Sequence, residues 1–102
     1  MRRTRWLLAT LLLCACVHRG VTPIRSHFNK AVYLYSRGEL EAAISEYRLA
    51  LDEEPDDYRA SFNLAEAQEA LADRLERGSN AEAAEALRAQ AEARYRALLA
   101  VR

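Results

Sequence analysis

The chain has 102 residues, enough for one small domain. Its 15 basic and 15 acidic residues balance to a net charge of +0 and form no basic stripe, which excludes the phosphate-binding footprint of a nucleic-acid partner. Both cysteines lie before Val17, so the rest of the chain has neither a disulfide framework nor a cysteine metal site.

Arg2, Arg3 and Arg5 open the chain, and Trp6 to Leu13 follows as an apolar run. Spanning a bilayer takes roughly 20 apolar residues, so this run is too short. A basic start, a short apolar stretch and a small residue ahead of a cleavage point mark a secretory signal peptide. Leu13-Cys14-Ala15-Cys16 resembles the bacterial lipoprotein signal, in which Leu stands three residues before a Cys and a small residue directly before it. Cys14 departs from the Ala, Ser or Val usual at the middle position. The resemblance implies that residues 1–15 are removed, that Cys16 is lipidated, and that 16–23, with Gly20 and Pro23, tethers a domain to the membrane. Val17, rather than Asp, after the lipidated Cys resembles the signal for the outer membrane, periplasmic side, of a Gram-negative envelope. An uncleaved apolar anchor, a cytosolic chain with a misplaced start, and a metal- or disulfide-forming cysteine pair are the open alternatives. Without Arg2, Arg3 and Arg5 the chain keeps 12 basic against 15 acidic residues, a net charge near −3.

From Ile24 onward Ala, Glu, Arg and Leu dominate, all good helix formers, and no alternating pattern appears. The fold class is all-α. Gly38, Pro55 and Gly78 divide the region into four helices. The first runs from about Arg25 to Ser36 and stops at Gly38, because glycine tolerates φ > 0. The second runs from about Leu40 to Glu53. Leu40, Ala43, Ile44, Tyr47, Ala50 and Leu51 share its apolar face, while Glu41, Ser45, Arg48 and Asp52 face water. The third starts near Asp56 or Asp57, acidic residues suited to a helix N-terminus, and ends at Gly78. The fourth opens with Ser79-Asn80-Ala81-Glu82, which reads as a capping box, and continues to about Val101. Short loops make neighbours antiparallel.

"RGELEAAISEYRLALDEEPDD", residues 37–57, resembles the second half of a tetratricopeptide repeat. Gly38, Ala43, Tyr47, Ala50 and Pro55 hold that family's positions at its spacing, and Ala31 and Leu34 fit its first helix. Lys30 and His27 replace the usual Leu and Trp. The resemblance implies a short α-helical solenoid of two antiparallel hairpins, with repeat 1 at 24–57 and a degenerate repeat 2 at 58–102. Phe62 follows Phe28 by 34 residues, but Tyr95 follows Tyr47 by 48. The excess of 14 lies on both sides of the turn and is rich in Ala, Leu and Glu. It implies about two extra helical turns per arm, hence an elongated second hairpin that projects beyond the first pair. Leu71, Leu75, Leu87 and Ala91 would zip it, with Ala83, Ala84 and Ala86 allowing close approach. Roughly three repeats normally give independent stability. The long hairpin, a second copy or a partner must therefore supply burial, the last two by covering Leu98, Leu99 and Val101.

Such repeats bind peptides or helices in the groove of their first helices. By register the groove residues are Arg25, Phe28, Asn29, Val32, Tyr35, Arg59, Phe62, Asn63, Glu66 and Glu69. The bland alternative makes Phe28 and Phe62 core and leaves the charged residues solvated. Tyr33, Tyr35 and Tyr47 read as packing rather than a cage. His18 and His27 stand without clustered partners, and the acidic run Glu53, Glu54, Asp56 and Asp57 reads as a solvated turn. No metal or cofactor is implied, and no catalytic motif occurs. The expected function is a non-enzymatic, lipid-anchored adaptor or assembly factor of the bacterial cell envelope that binds a protein or peptide partner. Its rivals are a self-associating hairpin lipoprotein that forms a homodimer, and a cytosolic adaptor.

Overall fold

The computed structural model describes residues 26–101, so the expectations for Cys16, the tether and Arg25 lie outside the described residues. Four helices follow in order: α1 (Ser26–Ser36), α2 (Leu40–Glu53), α3 (Tyr58–Arg77) and α4 (Ala81–Ala100). No strand occurs among the described residues. The helices pack in chain order, α1 on α2, α2 on α3 and α3 on α4. Each connection is only a few residues long, which sets neighbours antiparallel. The long second hairpin is present, with 20 residues in each arm against 11 and 14 in the first pair.

Helix α2 buries Leu40, Ala43, Ile44, Tyr47 and Ala50, with Leu51 half-buried, and exposes Glu41, Ser45, Arg48 and Asp52. The one apolar stripe of α2 thus meets both α1 and α3. Ala31 and Ala43 are fully buried, small because two backbones approach there. In α3, Ala60, Leu64, Ala67 and Leu71 join the core, with Leu64 wholly enclosed. Between α3 and α4, Ala65, Ala72, Ala84 and Ala91 are fully buried, while Leu75 and Leu87 are partly so. Ala86, expected at that contact, is exposed. The i, i+3, i+7 stripe that faces α3 runs through Ala84, Leu87 and Ala91, and Ala86 falls off it.

The extension beyond the first hairpin is clamped at its base. Arg74 Nη2 donates to the Gly38 carbonyl at 2.8 Å, and Glu41 stands 3.9 Å away. Further out, Arg88 of α4 donates to Asp73 Oδ1 at 2.9 Å and to Glu76, both on α3. Those carboxylates raise the Arg88 pKa, Glu76 most. Exposed bridges of this kind contribute at most about 1 kcal/mol each, so they set register more than stability.

The two turns solve one problem differently. In the first, Gly38 has φ +77°, the Gly38 N–H donates to Tyr35 O (2.9 Å) and the Glu39 N–H to Leu34 O (3.0 Å). This pair of bonds is a Schellman closure with glycine at the left-handed residue. In the second, the Ser79 N–H donates to Glu76 O (3.1 Å) and the Asn80 N–H to Leu75 O (2.8 Å). The closure is the same, but Ser79 carries φ +67° and Gly78 sits one residue early at φ −82°. The expected capping box therefore fails. A left-handed Ser79 cannot adopt the extended backbone of a helix cap, and Asn80 caps α4 instead, accepting from the Ala83 N–H at 3.4 Å. Asp57 caps α3 as expected, accepting from the Arg59 and Ala60 N–H groups. Ser79→Gly relieves the left-handed strain and is expected to stabilise the fold by about 1 kcal/mol, read as a rise in the urea midpoint.

Candidate functional site

The face to one side of the α1–α3 pair collects most of the groove residues. Val32 and Tyr35 of α1 are about 40% exposed. On α3, Phe62, Glu66 and Glu69 lie at i, i+4 and i+7 and share one exposed stripe. Asn29 and Arg59 are exposed as well.

Phe28 departs from the groove reading. It packs against the core cluster, edge-on to Tyr47 with ring centroids 6.0 Å apart at 67°. Tyr47 is only 2% exposed, yet its hydroxyl reaches the Asn63 side chain and lies near Glu66 and Tyr35. Burial pushes the Tyr47 phenol pKa up, the Asn63 hydrogen bond pulls it down, and Glu66 and Tyr35 add to the rise. Asn63 is half-buried beside the core tyrosine.

Helix α4 contributes a residue that the groove register does not include. Tyr95 stands edge-on to Phe62, with centroids 5.5 Å apart at 65°, and its hydroxyl donates to Glu69 Oε2 at 3.5 Å. Burial raises the Tyr95 pKa, helped by Glu69 and Glu66. Tyr58 stacks on Phe62 at 6.3 Å and 8°. The spacing from Tyr47 to Tyr95 held the signal, because the Phe62–Tyr95 pair repeats the Phe28–Tyr47 pair in geometry. Ala91 likewise repeats Ala43, both fully buried. The counterparts of Leu40 and Ile44 are Arg88 and Glu92, which are polar. On α2 those positions are buried; on α4 Arg88 reaches back to the α3 carboxylates and Glu92 is exposed. Tyr95 therefore stays partly open where Tyr47 is covered.

Tyr33 faces away, 57% exposed, with Arg37 donating to its hydroxyl at 2.9 Å. The three tyrosines Tyr33, Tyr35 and Tyr47 do not converge. His27 is not isolated: its Nδ1 lies 2.6 Å from Glu46 Oε2 and its Nε2 3.5 Å from Glu53 Oε1. The hydrogen bond from His27 holds the Glu46 carboxyl below its ordinary pKa, against the opposing effect of burial, with Lys30 assisting at 3.3 Å. Sequence spacing hides this pair because it spans α1 and α2. Among the described residues no group of His, Cys, Asp and Glu is arranged to hold a metal ion. No described helix is long and apolar enough to cross a membrane.

No family model matches this chain, and no curated protein or solved structure matches it either.

Proposed function

We propose that this chain is a lipid-anchored adaptor or assembly factor of the bacterial cell envelope, binding a protein segment across the α1–α3 face of a tetratricopeptide-like pair of hairpins. The repeated edge-to-face pair, Phe28 on Tyr47 and Phe62 on Tyr95, carries the reading. Two hairpins that share one aromatic contact, at sequence offsets of 34 and 48, behave as two copies of one unit with a stretched turn. The five residues Gly38, Ala43, Tyr47, Ala50 and Pro55 support the same unit. The open stripe of Val32, Tyr35 and Phe62 supplies aromatic anchors of the kind that dominate binding energy. The anchor rests on Leu13, Ala15 and Cys16.

Intact mass and membrane partition in a bacterium test the anchor, wild type beside Cys16→Ser. The expected wild type begins at Cys16, carries added acyl mass and sediments with membranes, while the variant is released. An unmodified wild type that keeps residues 1–15 overturns the anchor. One observation favours self-association instead: Leu99 and Val101 are 69% and 86% exposed. A concentration-dependent dimer in sedimentation velocity, lost in Leu99→Ser/Val101→Ser, would establish that reading.

A further inference from the structure

A furrow runs over Ser61 of α3, between α2 and α4. Its cationic part is a cavity of about 390 Å³ lined by Arg48 and Asp52 of α2, Pro55, Ser61 and Arg94 of α4. A second cavity of about 340 Å³ shares Ser61 and Arg94 and continues along α4 over Ala93 and Ala97. Arg94 is half-buried, and no described acid lies within ion-pair distance of it or of Arg48. The other arginines described on α4 are paired, Arg88 with Asp73 and Glu76, and Arg96 with Glu92. Burial pushes the Arg94 pKa down, and the Arg48 cation adds to the fall. An arginine keeps its charge all the same, so one cavity holds a desolvated cation beside a second cation. Asp52 borders the cavity one turn after Arg48, and with the two arginines it leaves the lining at a net charge of +1. Ser61 adds a free donor. Ser36 and Ser45 turn their hydroxyls back onto their own helices, at Tyr33 O and Glu41 O, whereas the Ser61 hydroxyl bonds to no described residue. Arg59 and Arg77 also lack an ion pair, but both are exposed and neither borders this furrow.

We infer that this furrow binds an acidic segment of a protein, its carboxylate accepting from the Arg48 and Arg94 guanidiniums and the Ser61 hydroxyl, with an adjoining apolar side chain over Ala93 and Ala97. The inference goes beyond the adaptor reading, because it uses no residue of the α1–α3 face. A cation stripped of water without a counter-charge is costly, and a carboxylate restores what it has lost. Planar guanidiniums meet a planar carboxylate with paired hydrogen bonds. The net charge of the lining matches one negative charge. A phosphate monoester carries about −1.5 to −2 at pH 7, which exceeds that charge and sets it against Asp52. An anionic lipid surface presents single charges, but as a plane. Glu53, Glu54, Asp56 and Asp57 flank Pro55 at one end of the furrow and repel such a plane, while a single segment can pass them.

The test uses the purified chain as a bacterium produces it, in a neutral detergent, and decapeptides of glycine and serine with blocked termini. Each peptide carries at its centre a glutamate, a glutamine or a lysine between two leucines, and binding is read by isothermal titration calorimetry up to millimolar peptide. The glutamate peptide is expected to bind about tenfold tighter than the glutamine peptide, and the lysine peptide not to bind. Arg48→Gln/Arg94→Gln should weaken the glutamate peptide by about tenfold or more. The same variant should keep or raise the urea midpoint, because it removes a cation that has no partner, so lost binding is not lost folding. Asp52→Asn should tighten the glutamate peptide by removing a like charge. Arg59→Gln/Arg77→Gln, an equal charge change elsewhere on α3, should leave it unchanged. Equal binding of the glutamate and glutamine peptides, indifference to Arg48→Gln/Arg94→Gln, or no binding of the glutamate peptide at millimolar concentration overturns the inference. A short-chain phosphatidylglycerol that binds through Arg48 and Arg94 more tightly than the glutamate peptide makes a lipid headgroup the occupant and also overturns it.

Discussion

Tyr47→Ala is expected to destabilise the domain by about 3–5 kcal/mol, the usual cost of deleting a buried large aromatic ring. Tyr47 sits where α1, α2 and α3 meet. Its ring packs edge-on against Phe28, and its hydroxyl reaches Asn63 across the α2–α3 contact. Among the described residues, only Leu64 and Gln68 are large side chains enclosed as completely. The surrounding small residues, Ala31, Ala43 and Ala50, cannot expand to fill the gap. Small domains have a total stability of roughly 5–15 kcal/mol, so the variant should be largely unfolded near physiological temperature. Tyr47→Phe should cost only about 1 kcal/mol, the net value of one hydrogen bond. Tyr95→Ala is the informative comparison. It removes the equivalent ring of the second hairpin, but that ring is partly solvated and should cost clearly less than Tyr47. Urea unfolding followed by circular dichroism ranks the three. A Tyr95→Ala loss equal to that of Tyr47→Ala would refute the view that only the first tyrosine is covered by a following helix.

Gln68→Leu is expected to stabilise the domain by about 1–3 kcal/mol, the range set by leaving a buried polar group unpaired. Gln68 is fully buried between α3 and α4. Its Nε2 donates to Gln90 Oε1 at 3.0 Å, while its own Oε1 has no partner. Exchanging the two ends of the amide leaves one end unpaired all the same. Leucine has a similar volume, needs no partner and keeps helix propensity. Gln90 is exposed and recovers its hydrogen bonds from solvent. A polar residue retained at such a position also specifies register. Ala65, Ala72, Ala84 and Ala91 provide little shape for that purpose. The companion expectation is therefore that Gln68→Leu raises the urea midpoint while broadening amide exchange across α4. A lower midpoint would show that the Gln68–Gln90 bond outweighs the orphaned carbonyl.

The helix boundaries were legible in the chain because they depend on local chemistry. Gly38 takes the left-handed turn, Pro55 follows the end of α2, Asp57 accepts the first N–H groups of α3, and the apolar spacing of α2 names its buried face residue by residue. The length of the second hairpin was legible for the same reason, since two spacings that disagree by a fixed number imply added turns. Ser79 and Asn80 show where local reading fails. Both residues suit a helix cap, and the choice depends on how α3 closes its last turn, which is set by the backbone bonds to Leu75 and Glu76. Ala86 was misplaced, and Phe28 was left open between groove and core, because a stripe covers an arc of a helix, and only the neighbour decides which edge of the arc is covered.

By itself the sequence determined that the described residues are helical, their four segments, the closed side of α2 and the two unequal aromatic offsets that mark a longer second hairpin. Those properties follow from propensity, capping and periodicity, each of which acts within a few residues. Tertiary structure alone decided that Tyr95 joins Phe62 and Glu69 beside the α1–α3 face, that His27 meets Glu46, that Arg74 reaches the Gly38 carbonyl, and that Gln68 is buried. Each of these joins residues on different helices. Their meeting depends on crossing angle and axial register, which small side chains leave open and which the packed core selects.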